Sequence, residues 1–362
     1  GTDCAGSCGG DSWISDCGCV AVGNSGNDCD DCTGTPNGDL VNDSFGICDG
    51  NGTLQGAIDA ASDGDMIYVP VGTYNESIVI NKNIELICED GGCVIDARGV
   101  AQRAVVFENT TEATIAGFEI PGDDTMYAGV VVTPTCSNVA VESNVIYGMG
   151  LSNPGNDSPL SYGILAYGGS TSMPVNTGIF DNTIYGVKGS AISLGDNTMG
   201  TRIEYNTLSD IIPVDLLGQD FSVGIQAQLS SDLVILGNSF SNLIVGANLP
   251  LTAGSMSENV YTNVGSYLST SSPSMIMFGD SVDYWLATTT LVDFGLVLES
   301  YASSLALATL VADAGSIIVG SDGSSTSQDC AGVWGGDSWS SDCGCVAADN
   351  SGDDCDDCFE VP

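Results

Sequence analysis

The residues with the most chemistry in this chain are cysteines and aspartates at fixed spacing. Ser15–Cys32 reads SDCGCVAVGNSGNDCDDC, and Ser341–Cys358 reads SDCGCVAADNSGDDCDDC. At an offset of 326, Cys4, Cys17, Cys19, Cys29 and Cys32 match Cys330, Cys343, Cys345, Cys355 and Cys358. Asp11, Asp16, Asp28, Asp30 and Asp31 match Asp337, Asp342, Asp354, Asp356 and Asp357, and Trp13 matches Trp339. Three chemistries fit. Carboxylate oxygens suit Ca2+, the preferred reading, because a module with almost no apolar core needs staples or a metal. The C-x-C-x9-C-x2-C spacing suits zinc, although the dense aspartate argues against it. Plain disulfides among solvated acids are the third reading.

The cysteine arithmetic is uneven. The N-terminal part has seven: Cys4, Cys8, Cys17, Cys19, Cys29, Cys32 and Cys48. The C-terminal part has five, with Trp334 in the place of Cys8. Between them lie Cys88, Cys93 and Cys136; the first two bracket a tight turn, CEDGGC, and are expected to pair. With fifteen cysteines, at least one thiol stays free or bonds another chain. Loss of the Cys8 equivalent suggests that Cys330 lacks its partner within the C-terminal module.

Composition narrows the partners. Forty-seven Asp and Glu face five Lys and Arg, without His, for a net charge of −42. Such a surface repels nucleic acid and anionic membranes. No apolar run is long enough to span a bilayer. Cysteine richness points to an oxidising, extracellular or cell-surface location. The sequons at Asn42, Asn51, Asn75, Asn109 and Asn156 agree with a glycoprotein. A start at Gly1 reads as a processed chain.

Three segments must carry these modules: 1–50 and 323–362, rich in Cys and Asp, and 51–322, apolar and rich in Asn, Gly and Ser. In the middle segment, Leu54, Ala57, Ile58 and Ala61 share one face of a short helix. Short apolar strands follow, among them MIYV, SIVI, IELIC, CVID and AVVFE, each closed by Gly, Asn or Asp. An apolar-x-x-Asn-x-apolar repeat places Asn144, Asn182, Asn206, Asn238 and Asn259 at successive turns, with Gly117 in the same place one turn earlier. Variable spacing around a constant short coil marks a solenoid, and stacked asparagines predict a hydrogen-bonded ladder. Residues 300–315 suggest a short helix at the far end, and Gly320–Gln328 a linker.

The stretch Gly52–Cys88, GTLQGAIDAASDGDMIYVPVGTYNESIVINKNIELIC, together with the asparagine repeat to about Val264, resembles the right-handed parallel β-helix of the pectin-lyase-like superfamily. The resemblance implies an all-β solenoid of about 11 turns, on the order of 50 Å long, with the helix capping its first turn. Asp30–Gly52, DDCTGTPNGDLVNDSFGICDGNG, is similar to thrombospondin type 3-like acidic repeats. That likeness implies pairing of Cys32 with Cys48 and adds Asp43 and Asp49 to the Ca2+ ligands.

Many β-helix proteins of this superfamily cleave acidic polysaccharides. Here Lys82, Arg98, Arg103, Lys188 and Arg202 are scattered, no His is present, and the charge opposes an anionic polymer. Asp123 and Asp124 could do acid–base work, but a solvated acidic loop is the preferred reading. Arg98 and Arg103 are expected to pair with nearby acids. The expectation is therefore a non-enzymatic, Ca2+- and disulfide-stabilised subunit that meets copies of itself head to tail in a filament. The alternatives are a polysaccharide lyase or hydrolase, and a glycan- or protein-binding adhesin. Tyr147 and Tyr185, which share one repeat position, would lie on the binding face of the adhesin, although their stacking within or along the coil is the preferred reading.

Overall fold

The computed structural model describes residues 1–151, 160–169, 172–195, 197–216, 219–270, 275–279, 310–312, 317–320, 325–327, 329–331, 336–341 and 344–351. Expectations for Cys343, Cys355, Cys358, Asp342, Asp354, Asp356, Asp357, Asn156, Trp334 and the helix near residue 300 lie outside these residues.

The middle segment is a parallel β-helix. Its strands fall into three parallel sheets, here called A, B and C. Sheet A starts at Met66–Tyr68 and continues through Glu85–Ile87 and Ala113–Ala116 to Ile317–Gly320. Sheet B starts at Gly72–Tyr74 and includes Glu119–Pro121, Val145–Tyr147, Thr183–Tyr185 and Thr207–Ser209. Sheet C starts at Ile78–Ile80 and includes Arg103–Phe107, Ala128–Val132, Ser161–Ala166, Gly189–Leu194 and Val223–Ala227. In the later coils Ser239–Asn248 and Val260–Thr270 run through the corner from B to C without a break. Ser325–Ser327, which reads as linker in the sequence, instead pairs antiparallel with Ile317–Gly320.

Strand alternation sends one set of side chains inward at every coil. Ile95, Ile120, Ile146, Ile184, Leu208, Phe240 and Tyr261 from sheet B meet the inner residues of A and C in one continuous core. Sheet C answers these large groups with small ones. The register aligns Ala104, Gly129, Gly163, Ala191, Gly224 and Gly246 in one column. A Cβ on Gly163 would lie 2.5 Å from Ile184 Cγ2, and one on Gly224 2.6 Å from Phe240 Cδ1.

The A–B corner holds the asparagine ladder. Asn144, Asn182, Asn206, Asn238 and Asn259 are buried. Each of the first four donates from its backbone N–H and its Nδ2 to the Oδ1 of the next, at 2.9–3.1 Å. The residue before each asparagine has positive φ: Ser143, Asp181, Tyr205, Gly237 and Glu258. Gly117, at φ 85, belongs to that preceding position. The alignment expected from sequence is one residue off: Ala116 pairs with Glu142, so Phe118 takes the asparagine place. Phe118 N–H donates to Asn144 Oδ1 at 3.0 Å, which ends the ladder with a ring.

A helix at Leu54–Ala60 closes the first coil. The Thr53 side chain caps Gly56 N–H, and Glu76 accepts the N–H groups of Leu54 and Gln55. Gln55 completes the cover: its amide exchanges two hydrogen bonds with the Val79 backbone, as a further strand would.

Segment 1–50 repeats one small loop three times, bridged at Thr2–Cys8, Asp30–Pro36 and Asn42–Cys48. A glycine with φ near 80° turns each loop: Gly6, Gly34 and Gly46. Asp3, Asp31 and Asp43 sit at the same loop position, and their carboxylates accept backbone N–H groups of their own loops. Asp43 takes Phe45 and Ile47 on Oδ1 and Gly52 on Oδ2. Asp329 repeats the bonds with Ala331 and Ser338. Phe45 links the module to the coil, with its ring 5.9 Å from Tyr74.

Among the described residues the disulfides are Cys4–Cys19, Cys17–Cys29, Cys32–Cys48, Cys88–Cys93 and Cys330–Cys345. Cys8 is free and exposed, and Cys136 is free and buried. Two expectations are thereby corrected. Cys8 forms no disulfide among the described residues of its own chain, and the partner of Cys330 is Cys345, so replacement of the Cys8 equivalent by Trp334 takes nothing from Cys330.

The loop aspartates carry a pH prediction. The Ser7 N–H holds Asp3 below the ordinary carboxylate range, and the Thr33 hydroxyl does the same for Asp31. For Asp43, desolvation raises the pKa, but the N–H groups of Ile47, Phe45 and Gly52 outweigh it. A depressed folded pKa contributes stability above the unfolded value, and that stability is lost as pH falls through the folded value. The near-UV signal of Trp13 should hold through the ordinary carboxylate range and change below it, while the coil's far-UV signal persists. A Trp13 change near neutral pH would contradict this assignment.

Candidate functional site

Outward residues of sheet B share the strict register of the inner ones, so one sequence position repeats at each coil, about 4.8 Å apart. One such column holds Pro121, Tyr147, Tyr185, Ser209, Ser241 and Thr262. Tyr147 and Tyr185 stack with centroids 5.0 Å apart and planes at 7°. Tyr185 is 37% exposed. The next residue up the column is Ser209, so the column adds no third ring over Tyr185.

Charged groups gather at the lower end of this column. The Tyr147 hydroxyl donates to Glu119 Oε1 at 2.6 Å, and that carboxylate pushes its pKa up to about 12. Arg98 forks onto Asp96, with Nε to Oδ1 at 2.8 Å and Nη2 to Oδ2 at 2.7 Å. Its charge also acts on Tyr147 and Asp123. Asp123 is half-buried, and its Oδ1 accepts the Thr125 N–H and hydroxyl at 2.7 and 2.6 Å. Asp124 is exposed and packs on Gly150. The loops 96–102 and 122–127 therefore bring Asp96, Arg98 and Asp123 toward the Tyr147–Glu119 pair, while Asp124 lies against the 148–151 loop. The arrangement offers an aromatic face, hydrogen-bond donors and acceptors, and several carboxylates.

Among the described residues Arg103 pairs with no acid, contrary to expectation. It starts a strand of sheet C and faces the Tyr127 phenol, in a separate cluster with Tyr162 and Tyr167 on the outer side of that sheet. Sequence reasoning finds Arg98, Asp123, Asp124, Tyr147 and Tyr185 but misses Asp96 and Glu119. Glu119 lies 28 residues before Tyr147, and only the coil register joins them.

The aspartates expected to hold a metal are, among the described residues, Asp11, Asp16, Asp28, Asp30, Asp31, Asp43, Asp49 and Asp337. One group of three metal-ligating types converges among the described residues: Cys17, Cys29 and Asp30. Two of these are joined as a disulfide and cannot act as thiolates. Asp31 and Asp43 turn their oxygens to backbone N–H groups. Asn42, Asn51, Asn75 and Asn109 are exposed.

No protein-family model matches the chain, and no curated protein matches it significantly. Solved structures with related folds exist. A Geobacillus virus E2 protein, ORF18, is 12% identical over 74% of this chain and 58% of its own, at a TM-score of 0.46. The Dettilon tailspike protein is 12% identical over 72% and 63%, at 0.33. The catalytic unit of a GH87 alpha-1,3-glucanase from Streptomyces thermodiastaticus is 12% identical over 84% and 70%, at 0.35. The chain thus spans less than two thirds of the first two. The expectation that the chain is not an enzyme is corrected by the third, which is itself a catalytic unit. Among the described residues, no helix is long and apolar enough to cross a membrane.

Proposed function

We propose that the chain is an extracellular β-helix protein that binds a neutral polysaccharide on the outward face of sheet B. The uncovered ring face of Tyr185, stacked on Tyr147 and continued by Ser209, carries this reading. Sugar rings present apolar C–H faces that pack on aromatic rings, while their hydroxyls need donors and acceptors, which Glu119, Arg98 and Asp123 supply. The charge of −42 disfavours uronates and leaves neutral chains. The five disulfides among the described residues suit an oxidising location. Hydrolysis of the bound chain is the enzymatic form of the same reading, with Glu119, Asp123 and Asp124 as the carboxylates. Calorimetry against neutral and uronate polysaccharides tests it. Tyr185→Ala should weaken binding at least tenfold, and reducing-end release should fall in Glu119→Gln and Asp123→Asn. Unchanged affinity in Tyr185→Ala would refute it.

One observation favours head-to-tail assembly as a second reading. Cys8 holds the loop position that Cys48 holds in its own loop, as their bridges to Thr2 and Asn42 indicate. Cys48 bonds Cys32, and Cys358 is the sequence match of Cys32. Exposed Cys8 is therefore chemically suited to join Cys358 of another copy, the two thiols being oxidised by exchange with an external small-molecule disulfide that leaves as two thiols. Non-reducing gels should show a ladder that Cys8→Ser abolishes; monomers in the oxidised wild type would end the idea.

A further inference from the structure

A second ladder runs outside the coil, at the corner between sheets B and C. Asn242 Nδ2 donates to Asp210 Oδ1 at 2.8 Å, and Asn263 Nδ2 donates to Asn242 Oδ1 at 3.0 Å. All three residues are exposed and have φ of 52–55°. The turn alone accounts for Asn and Asp being tolerated there. It does not account for three consecutive coils keeping amide or carboxylate groups in an exposed hydrogen-bonded row. Inside the coil, the matching Nδ2 groups of Asn144, Asn182, Asn206 and Asn238 also donate to backbone carbonyls. Among the described residues the outer row has its rung bonds but none to carbonyls, and it is exposed.

Each rung follows directly on an outward hydroxyl: Ser209 before Asp210, Ser241 before Asn242, and Thr262 before Asn263. These hydroxyls continue the column above Tyr185. The last two coils pass the corner without a loop, because Ser239–Asn248 and Val260–Thr270 are unbroken strands. The row therefore has one hydroxyl and one amide or carboxylate per coil, at the coil repeat of about 4.8 Å, close to the length of one extended sugar unit.

We infer that Asp210, Asn242 and Asn263, with Ser209, Ser241 and Thr262, form successive hydroxyl-binding subsites. On this inference the ligand is an extended neutral oligosaccharide lying parallel to the coil axis, one unit per coil, starting at the Tyr185 ring. It rests on the glycan reading above and adds a direction and a length. The test measures the affinity of linear neutral gluco- and xylo-oligosaccharides, from disaccharide to hexasaccharide. For the wild type, affinity should rise through the tetrasaccharide and then level. In the Asn242→Gly/Asn263→Gly double variant, glycine keeps the positive φ and removes only the side chains. That variant should bind the disaccharide unchanged and the tetrasaccharide about fivefold more weakly, the scale of one or two net hydrogen bonds. Equal affinity at every length in the wild type, or an unchanged tetrasaccharide affinity in the double variant, overturns the inference. Tyr185→Ala separates the two claims: weakened binding in that variant, together with equal affinity at every length in the wild type, keeps the glycan reading and discards the subsites. Absence of oligosaccharide binding by the wild type overturns both.

Discussion

Asn206→Ala is expected to destabilise the coil by about 3–5 kcal/mol, read as the shift in denaturant midpoint at constant slope. The buried Oδ1 of Asn206 accepts both the backbone N–H and the Nδ2 of Asn182, at 2.9 and 3.0 Å. Alanine leaves both donors without that acceptor inside the coil, and each buried orphan costs roughly 1–3 kcal/mol. The lost Nδ2 also deprives Asn238 Oδ1 and the Ile179 and Glu204 carbonyls of a donor. Because coils interact mainly with their neighbours, the damage should be local. Hydrogen exchange should speed up most in the strands containing Ile179, Ile203 and Ile235 and least near Ile67. A loss below about 1 kcal/mol, or uniform exchange along the coil, would show that the ladder is decoration.

The inner ladder is legible in the sequence because an amide that recurs between apolar residues at coil spacing must find its partners in the coils above and below. Its first rung is misplaced by one residue for a physical reason. Asn and Gly both tolerate positive φ, so Gly117 looks like an asparagine equivalent, although the left-handed position is the one before it. The aspartates of the terminal modules are harder to read. A carboxylate that accepts its own loop's N–H groups looks the same in sequence as one facing a cation. Asp31 and Asp43 have the composition of ligands and the geometry of loop staples. The Tyr147–Glu119–Arg98 cluster depends on loops of unequal length, so pairing 28 residues apart cannot be counted out from the sequence. The outer row at Asp210, Asn242 and Asn263 is equally hidden. Each residue reads as an ordinary turn former, and only the stacking of three corners makes a row.

The same stacking governs the core, where Gly224→Val should cost about 3 kcal/mol or more. A Cβ at Gly224 would stand 2.6 Å from Phe240 Cδ1 and 2.7 Å from the Gly246 carbonyl oxygen. The side chain of Phe240 can yield; the backbone of the next coil cannot move without disturbing its own ladder of hydrogen bonds. Phe240→Leu alone should cost on the order of 1–2 kcal/mol, because the ring is fully buried and stacks on Tyr261 at 5.1 Å. Combined with Gly224→Val, it should be less harmful than the sum of the two, since the smaller side chain makes room for the valine. Rescue should stay partial, because the Gly246 carbonyl remains in the way. The glycine column is thus the counterpart of the large residues in sheet B, and coil width is set by the sum across the corner. Strict additivity of the two substitutions would show that Gly224 is required for backbone approach alone, and full rescue that the ring was the whole obstacle.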